Sequence, residues 1–111
     1  MIGEKEFASM KRSTFLINVA RGPIVDHEAL VKALREGNIR GAGLDVFDRE
    51  PLPLDDPLLS LDNVVLTPHL ASNTTECRRR MAVTVVEDVL RVLHGEKPRY
   101  AVNLEIRNPR S

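Results

Sequence analysis

Three polar residues with complementary chemistry stand at Arg21, Glu50 and His69. An arginine guanidinium is a planar fork that binds a carboxylate through two parallel hydrogen bonds. Histidines titrate near neutral pH, and a carboxylate bonded to one ring nitrogen fixes the tautomer and favours the protonated form. A protonated imidazole can give a proton to a carbonyl oxygen and take it back in the reverse direction. Together, these residue types suit the reduction of a keto group in a small organic acid.

The segments around these residues predict three strands. Residues 14–20 (TFLINVA) form a nearly unbroken apolar run with β-branched side chains, which predicts a strand buried on both faces. Residues 41–47 (GAGLDVF) predict a second buried strand, in which Gly41 and Gly43 indicate close packing against a neighbour. Residues 63–67 (NVVLT) predict a short third strand. Strands of this kind are typical of a parallel sheet.

Two helices are predicted between and after the strands. Asp26 is placed to cap the first, and Gly37 to end it. Asn73 and Glu76 form a capping pair for the second, which runs to Gly95. Helical spacing gives each helix one apolar face, formed by Ala29, Leu30, Ala33 and Leu34 in the first, and by Ala82, Val85, Val86, Val89, Leu90 and Leu93 in the second.

The rest of the chain reads as loop and tail. Residues 48–62 contain three prolines and predict a loop with a short helical turn near Leu58. The tail contains one possible strand, residues 101–104. The whole pattern predicts an α/β fold with a right-handed strand–helix–strand unit.

This α/β pattern places the polar residues at the same edge of the predicted sheet. Arg21 follows the first predicted strand, Asp45 and Glu50 lie at and beyond the end of the second, and His69 follows the third. In open parallel sheets, ligands bind at the carboxyl ends of the strands. The sequence therefore predicts a site at this edge. For Asp45 an alternative is open, because a buried carboxylate needs partners and could simply cap a neighbouring turn.

Composition excludes several classes of protein. The chain has 111 residues, with 16 basic and 16 acidic side chains and a net charge of zero, so neither nucleic acid nor a membrane is an expected partner. Cys77 is the single cysteine, which excludes an intramolecular disulfide and a cysteine metal cluster. No apolar run approaches the roughly 20 residues that span a bilayer. We expect a cytoplasmic protein without a metal site.

Three segments resemble successive motifs of one family: LINVARGPIVD, GAGLDVFDREP and TPHLASNT. They are similar to those of the D-isomer-specific 2-hydroxyacid dehydrogenases, which include glyoxylate/hydroxypyruvate reductases and phosphoglycerate dehydrogenases. The resemblance extends over residues 1–103, and three linked motifs are far more specific than one. It implies hydride transfer between NAD or NADP and a small 2-hydroxy or 2-oxo acid.

The resemblance also implies roles for individual residues. Arg21 would hold the substrate, Glu50 would support the histidine, and His69 would be the acid/base. The formate dehydrogenases of this superfamily have glutamine in place of Glu50, so the glutamate favours hydroxyacid chemistry. Asp45 matches the position that hydrogen-bonds the nicotinamide carboxamide, and the backbone of Ala20 lines the same ring. The residues expected to lie around the nicotinamide are Ala20, Arg21, Asp45 and His69.

The chain also lacks parts that the family pattern requires. It contains no Gly-x-Gly-x-x-Gly turn for the pyrophosphate. The resemblance therefore implies that residues 1–95 are the carboxyl-terminal half of a dinucleotide-binding domain, a partial Rossmann-like sheet truncated at its amino terminus. Residues 96–111 would form a tail returning to a missing substrate domain. A longer parent protein is expected to form a homodimer.

Two other functions stay open at this point. Related corepressors combine the dehydrogenase fold with protein binding and keep a similar catalytic set, so the chain could be a non-enzymatic association module. It could also be an inactive truncated fragment. The sequence does not distinguish NAD from NADP or identify the hydroxy acid.

Overall fold

A computed structural model describes residues 1–103. The described chain forms three parallel strands in the order β1-β2-β3, with helices between and after them. The predicted α/β class is confirmed. The elements are α1 (Glu4–Ser9), β1 (Phe15–Asn18), α2 (His27–Arg35), β2 (Gly41–Leu44), β3 (Val64–Leu66) and α3 (Thr75–Leu93), with short 3-10 turns at Gly22–Ile24 and Pro57–Ser60.

The chain divides into two compact units, Met1–Ala71 and a second that begins at Ser72. The first unit contains the sheet and its core. Its buried apolar side chains come mainly from α1, α2 and β2, with Leu58 of the predicted turn among the most deeply buried. The predicted boundary between residues 95 and 96 stays a prediction.

The sheet is closely packed at the two predicted glycines. A Cβ on Gly41 would lie 2.7 Å from the backbone oxygen of Asn63, and one on Gly43 would lie 2.9 Å from the Ile17 side chain. Real Cβ atoms do not approach so closely. Gly41 therefore needs glycine, because the atom in the way is backbone, whereas at Gly43 the end of the Ile17 side chain could shift. The register pairs Ile17 with Gly43, and Gly43 with Val65.

Helix α2 begins and ends as predicted. The Asp26 side chain accepts a hydrogen bond from the Ala29 N–H at 2.9 Å, which satisfies a donor of the first turn. Gly37 has φ of 67°, the left-handed conformation that ends many helices. The predicted apolar face is buried.

The first strand differs from its prediction. It covers Phe15–Asn18 rather than residues 14–20, and it lies at one edge of the described sheet. The side chains of Phe15, Ile17 and Val19 are 61%, 66% and 57% exposed. The prediction of a strand buried on both faces is therefore wrong for this chain, because no element of the first unit, residues 1–71, covers that face.

The second unit consists of α3 and the segment that follows it. The cap of α3 is Thr74, whose side chain accepts the Cys77 N–H at 3.1 Å, so the predicted cap at Asn73 is one residue early. Gly95 ends the helix with φ of 78°. The predicted apolar positions do lie on the helix, but none of the α3 residues is buried.

The segment after α3 folds back along the helix. The Asp88 carboxylate accepts the backbone N–H groups of Arg99 at 2.8 Å and Tyr100 at 3.0 Å. These hydrogen bonds lower the pKa of Asp88. Residues 101–103 are not a strand, and the rest of the predicted strand lies outside the described residues. Among residues 1–103, no helix is both long and apolar enough to cross a bilayer.

Candidate active site

The predicted site residues do meet at the carboxyl edge of the sheet. Asp45 directly follows β2, and His69 lies three residues beyond β3. Glu50 reaches His69 across 19 residues of sequence, with 2.8 Å between Glu50 Oε2 and His69 Nδ1. Arg21 follows β1 and lies close enough for its charge to contribute to lowering the pKa of Glu50.

The Glu50 carboxylate is held at both oxygens. Oε2 pairs with His69 Nδ1, and Oε1 accepts the Phe47 N–H at 3.0 Å. The hydrogen bond with His69 and then that from Phe47 are the main causes that lower the pKa of Glu50. A carboxylate that is ionised at neutral pH can only accept, so Nδ1 of His69 must carry the proton. The Nε2 atom of His69 is consequently the nitrogen left to exchange a proton with a ligand.

The backbone of the Arg21 loop is fixed by a buried asparagine. Asn18 is 6% exposed; its Nδ2 donates to the Arg21 carbonyl at 2.9 Å, and its Oδ1 accepts the Ala20 N–H at 3.1 Å. The next residue, Gly22, packs so tightly that a Cβ there would overlap the backbone of Phe47 and Asp48. These contacts place the Arg21 loop against the segment that leads to Glu50.

The Arg21 side chain is exposed, and its Nη1 donates to the Ala20 carbonyl at 2.6 Å. A guanidinium has five N–H donors, so most of them stay available for an anion. Arg21 can therefore bind a carboxylate beside the Glu50–His69 pair.

Asp45 is buried and has three hydrogen-bond donors around it. Its Oδ1 accepts the Thr67 hydroxyl and the Leu70 N–H, and its Oδ2 accepts the Ala71 N–H at 2.7 Å. The Thr67 hydrogen bond, followed by that of Leu70, lowers the pKa of Asp45. The structure thus has the alternative arrangement in which this carboxylate caps a turn.

Two acceptor positions at this edge of the sheet are not used by the described hydrogen bonds. A carboxylate has about four acceptor positions, and the turn uses three of them on Asp45, which leaves one on Oδ2. The carbonyl of Ala20 also has a second lone pair beyond the one used by Arg21. Both are the acceptors that an amide group needs.

An apolar cavity of about 350 Å³ opens beside the ion pair. Glu50 and His69 form part of its wall, and the apolar wall includes Phe47, Leu52 and Leu66. An apolar surface therefore lies beside the exposed Glu50–His69 pair.

Two residues of the site were missed from the sequence, Asn18 and Thr67. Asn18 is a polar residue inside the apolar run LINVA, and this was a usable signal because buried polar groups need partners. Thr67 carried no such signal, since threonine is common in strands.

Comparison with known proteins places these observations in a family. The model described as "D-isomer specific 2-hydroxyacid dehydrogenase, NAD binding domain" matches residues 1–71. A glyoxylate reductase of Thermofilum pendens is 55% identical over 106 residues, which are 96% of this chain and 31% of that protein. The chain therefore spans about a third of the length of this relative.

Solved structures agree with this match. A D-isomer specific 2-hydroxyacid dehydrogenase from Xanthobacter autotrophicus Py2, in complex with NADPH and MES, has a TM-score of 0.81 at 45% identity, covering 92% of this chain and 41% of that chain. D-lactate dehydrogenase with NAD+ from Lactobacillus jensenii has a TM-score of 0.74 at 36% identity, covering 93% and 35%.

The fold and the matched motifs define an α/β domain of the dinucleotide-binding class. The chain belongs to the NAD-binding domain family of the D-isomer specific 2-hydroxyacid dehydrogenases. The resemblance stated from the three motifs is confirmed.

Proposed function

We propose that this chain supplies the proton-transfer part of an NAD(P)-dependent D-2-hydroxyacid dehydrogenase, with glyoxylate or a similar small 2-oxo acid as substrate. The relative from Thermofilum pendens is named a glyoxylate reductase, and the solved relatives bind NAD+ or NADPH. The observation that supports this most directly is the 2.8 Å contact between His69 Nδ1 and Glu50 Oε2 at the carboxyl edge of the sheet.

The proposed mechanism rests on the protonation of His69. When bound, NAD(P)H would supply the hydride for reduction, and NAD(P)+ would accept it in the reverse direction, with Asp45 and the Ala20 carbonyl as the groups that would hold the carboxamide. Glu50 holds the His69 ring through Nδ1 and stabilises its positive charge. The protonated Nε2 of His69 gives its proton to the keto oxygen of the substrate, and in the reverse direction takes it from the hydroxyl.

Arg21 has the complementary task of orienting the substrate. Its fork binds the carboxylate of the acid and the neighbouring keto oxygen, which fixes the carbonyl relative to His69. Its positive charge also offsets the negative charge that develops on the keto oxygen. We place the reaction in the cytoplasm and expect a longer parent protein to form a homodimer.

The proposal can be tested in a chimera that has this chain in place of the matching segment of the Thermofilum pendens glyoxylate reductase. We expect the chimera to oxidise NADH or NADPH in the presence of glyoxylate or hydroxypyruvate. Arg21→Lys keeps the charge but removes the planar fork, so KM for glyoxylate should rise on the order of tenfold.

The matched control is Arg12→Lys, the same change at an exposed residue outside the site. It should leave KM as it was. A folded chimera that binds NADH without turning over either acid would contradict the proposed activity, and an unchanged KM in Arg21→Lys would contradict the role of Arg21.

A further inference from the structure

The turn after β3 is wrapped around the carboxylate of Asp45. Thr67 donates its hydroxyl to Oδ1, and the N–H groups of Leu70 and Ala71 donate to Oδ1 and Oδ2, both at 2.7 Å. Thr67 is also attached to the sheet, because its N–H donates to the Leu44 carbonyl at 2.9 Å. Both ends of the turn are thus bound to one buried side chain, that of Asp45, which directly follows β2.

His69 lies inside this turn in an unfavourable backbone conformation. Its φ is 54°, in the left-handed region that residues with a Cβ seldom adopt. Such a conformation is strained and persists only where surrounding contacts impose it. The contacts that bracket His69 are those of Thr67, Leu70 and Ala71 with Asp45.

The conformation of His69 determines what its ring contacts. The backbone angle sets the direction of the side chain, and in this direction Nδ1 lies 2.8 Å from Glu50 Oε2. Relaxation of φ to a negative value would swing the ring away from Glu50. The hydrogen bond that orients the ring therefore depends on the turn, and the turn depends on Asp45.

We propose that Asp45 and Thr67 are positioning residues that hold the backbone of His69 so that its Nδ1 meets Glu50. The effect on catalysis rests on the proposed function, whereas the positioning of His69 can be measured in this chain alone. The role adds to the cofactor contact expected of Asp45, since one acceptor position on Oδ2 is not used by the turn. Thr67 acts through its hydrogen bond to Asp45 and so through the turn.

The first test measures the tautomer of His69 in this chain by nitrogen-15 NMR of the imidazole rings. The chain has three histidines, so a His69→Gln variant assigns the signal. In the unchanged chain, the Nδ1–H tautomer should predominate. Thr67→Val keeps the shape but lacks the hydroxyl, so the signal of the Nδ1–H tautomer should be lost.

Thr67→Ser is the matched control, because it keeps the hydroxyl donor and should preserve the tautomer. If Thr67→Val does not fold, Thr67→Ala makes the same test with a smaller side chain. A tautomer that is unchanged without the hydroxyl would overturn the proposal, as would its loss in Thr67→Ser.

The second test uses the chimera with the Thermofilum pendens enzyme. Thr67→Val should lower kcat roughly tenfold or more through misplacement of His69, with Kd for NADH almost unchanged and kcat restored in Thr67→Ser. Weaker NADH binding at an unchanged kcat would overturn the proposal in favour of a cofactor role alone. Failure of the proposed function is distinguishable, because it would leave the chimera inactive while the NMR result on the chain still stands.

Discussion

At the scale of single residues, two carboxylates of the site, those of Glu50 and Asp45, each hold a different part of His69 in place. Glu50 fixes the ring of His69 through one oxygen and is itself held by the Phe47 N–H through the other. Asp45 fixes the turn in which His69 lies. His69 therefore has its ring and its backbone set by two different acidic residues, one directly after β2 and one in the loop that follows.

For catalysis, the negative charge of Glu50 should matter more than its ability to accept a hydrogen bond from His69. Glu50→Gln in the chimera keeps an acceptor for His69 but removes the negative charge that stabilises the imidazolium. Because reduction needs protonated His69, we expect the rate of glyoxylate reduction at neutral pH to fall on the order of tenfold, and its decline with pH to begin at lower pH. The measurement is kcat/KM against pH.

Glu4→Gln is the matched control, since Glu4 forms a 2.8 Å surface ion pair with Lys32 outside the site. Its profile should overlie that of the unchanged chimera, and an unshifted Glu50→Gln profile would contradict the role of Glu50. The pH dependence of the free energy of unfolding gives an independent check on Glu50. The pKa of Glu50 is lowered in the fold from 4.5, so its contribution is fully present above about pH 4.5 and is lost as the pH falls through the folded pKa.

At the scale of elements, the site residues follow the ends of three strands, and α2 supports the sheet unit through its buried face. Helix α2 connects β1 to β2 and buries its apolar face in the core. Its start is fixed by the Asp26 cap, and Asp26 is also attached to the amino-terminal segment because its N–H donates to the Ile2 carbonyl at 2.8 Å.

Removal of this cap should destabilise the sheet unit without touching the site. In Asp26→Ala, the Ala29 N–H loses its acceptor, and the free energy of unfolding should fall by about 1 kcal/mol. Urea unfolding of the chain, followed by circular dichroism, measures the change. Asp55→Ala, at an exposed turn position, is the control and should shift the free energy by much less. Equal effects of the two variants would show that the cap contributes nothing.

The elements that could be predicted from the sequence are those with local signals. Asp26 and Gly37 correctly predicted where α2 begins and ends. The glycines at positions 41 and 43 correctly indicated close packing against a neighbour. The exposed face of β1 could not be predicted, because an apolar run has the same composition whether or not a partner covers it. Local periodicity reports what a segment could bury, and burial itself depends on long-range contacts.

The site was predictable to the same extent. Arg21, Glu50 and His69 share a sheet edge because the ends of parallel strands coincide. The Asp45–Thr67 contact joins residues 22 positions apart and depends on the register of β2 with β3, which no local pattern of side chains specifies. The left-handed conformation of His69 follows from that contact, so it could not be predicted from the sequence either.

At the scale of the whole molecule, the chain matches a family of NAD-binding domains over residues 1–71, and its sequence contains no Gly-x-Gly-x-x-Gly motif. It spans 31% of the length of the Thermofilum pendens glyoxylate reductase. In the described residues it also exposes apolar side chains on β1 and along α3. Isolated apolar residues on a surface are ordinary, but runs of them on two elements are typical of surfaces that other parts of a protein cover.

The central claim is that His69 is the group that transfers the proton. The most direct measurement compares His69→Gln with the unchanged chimera for glyoxylate reduction and for NADH binding, with His94→Gln, at the end of α3, as the control. We predict that kcat falls roughly 10²- to 10⁴-fold in His69→Gln while Kd for NADH stays nearly the same, and that His94→Gln changes neither. An undiminished kcat in His69→Gln would contradict the account.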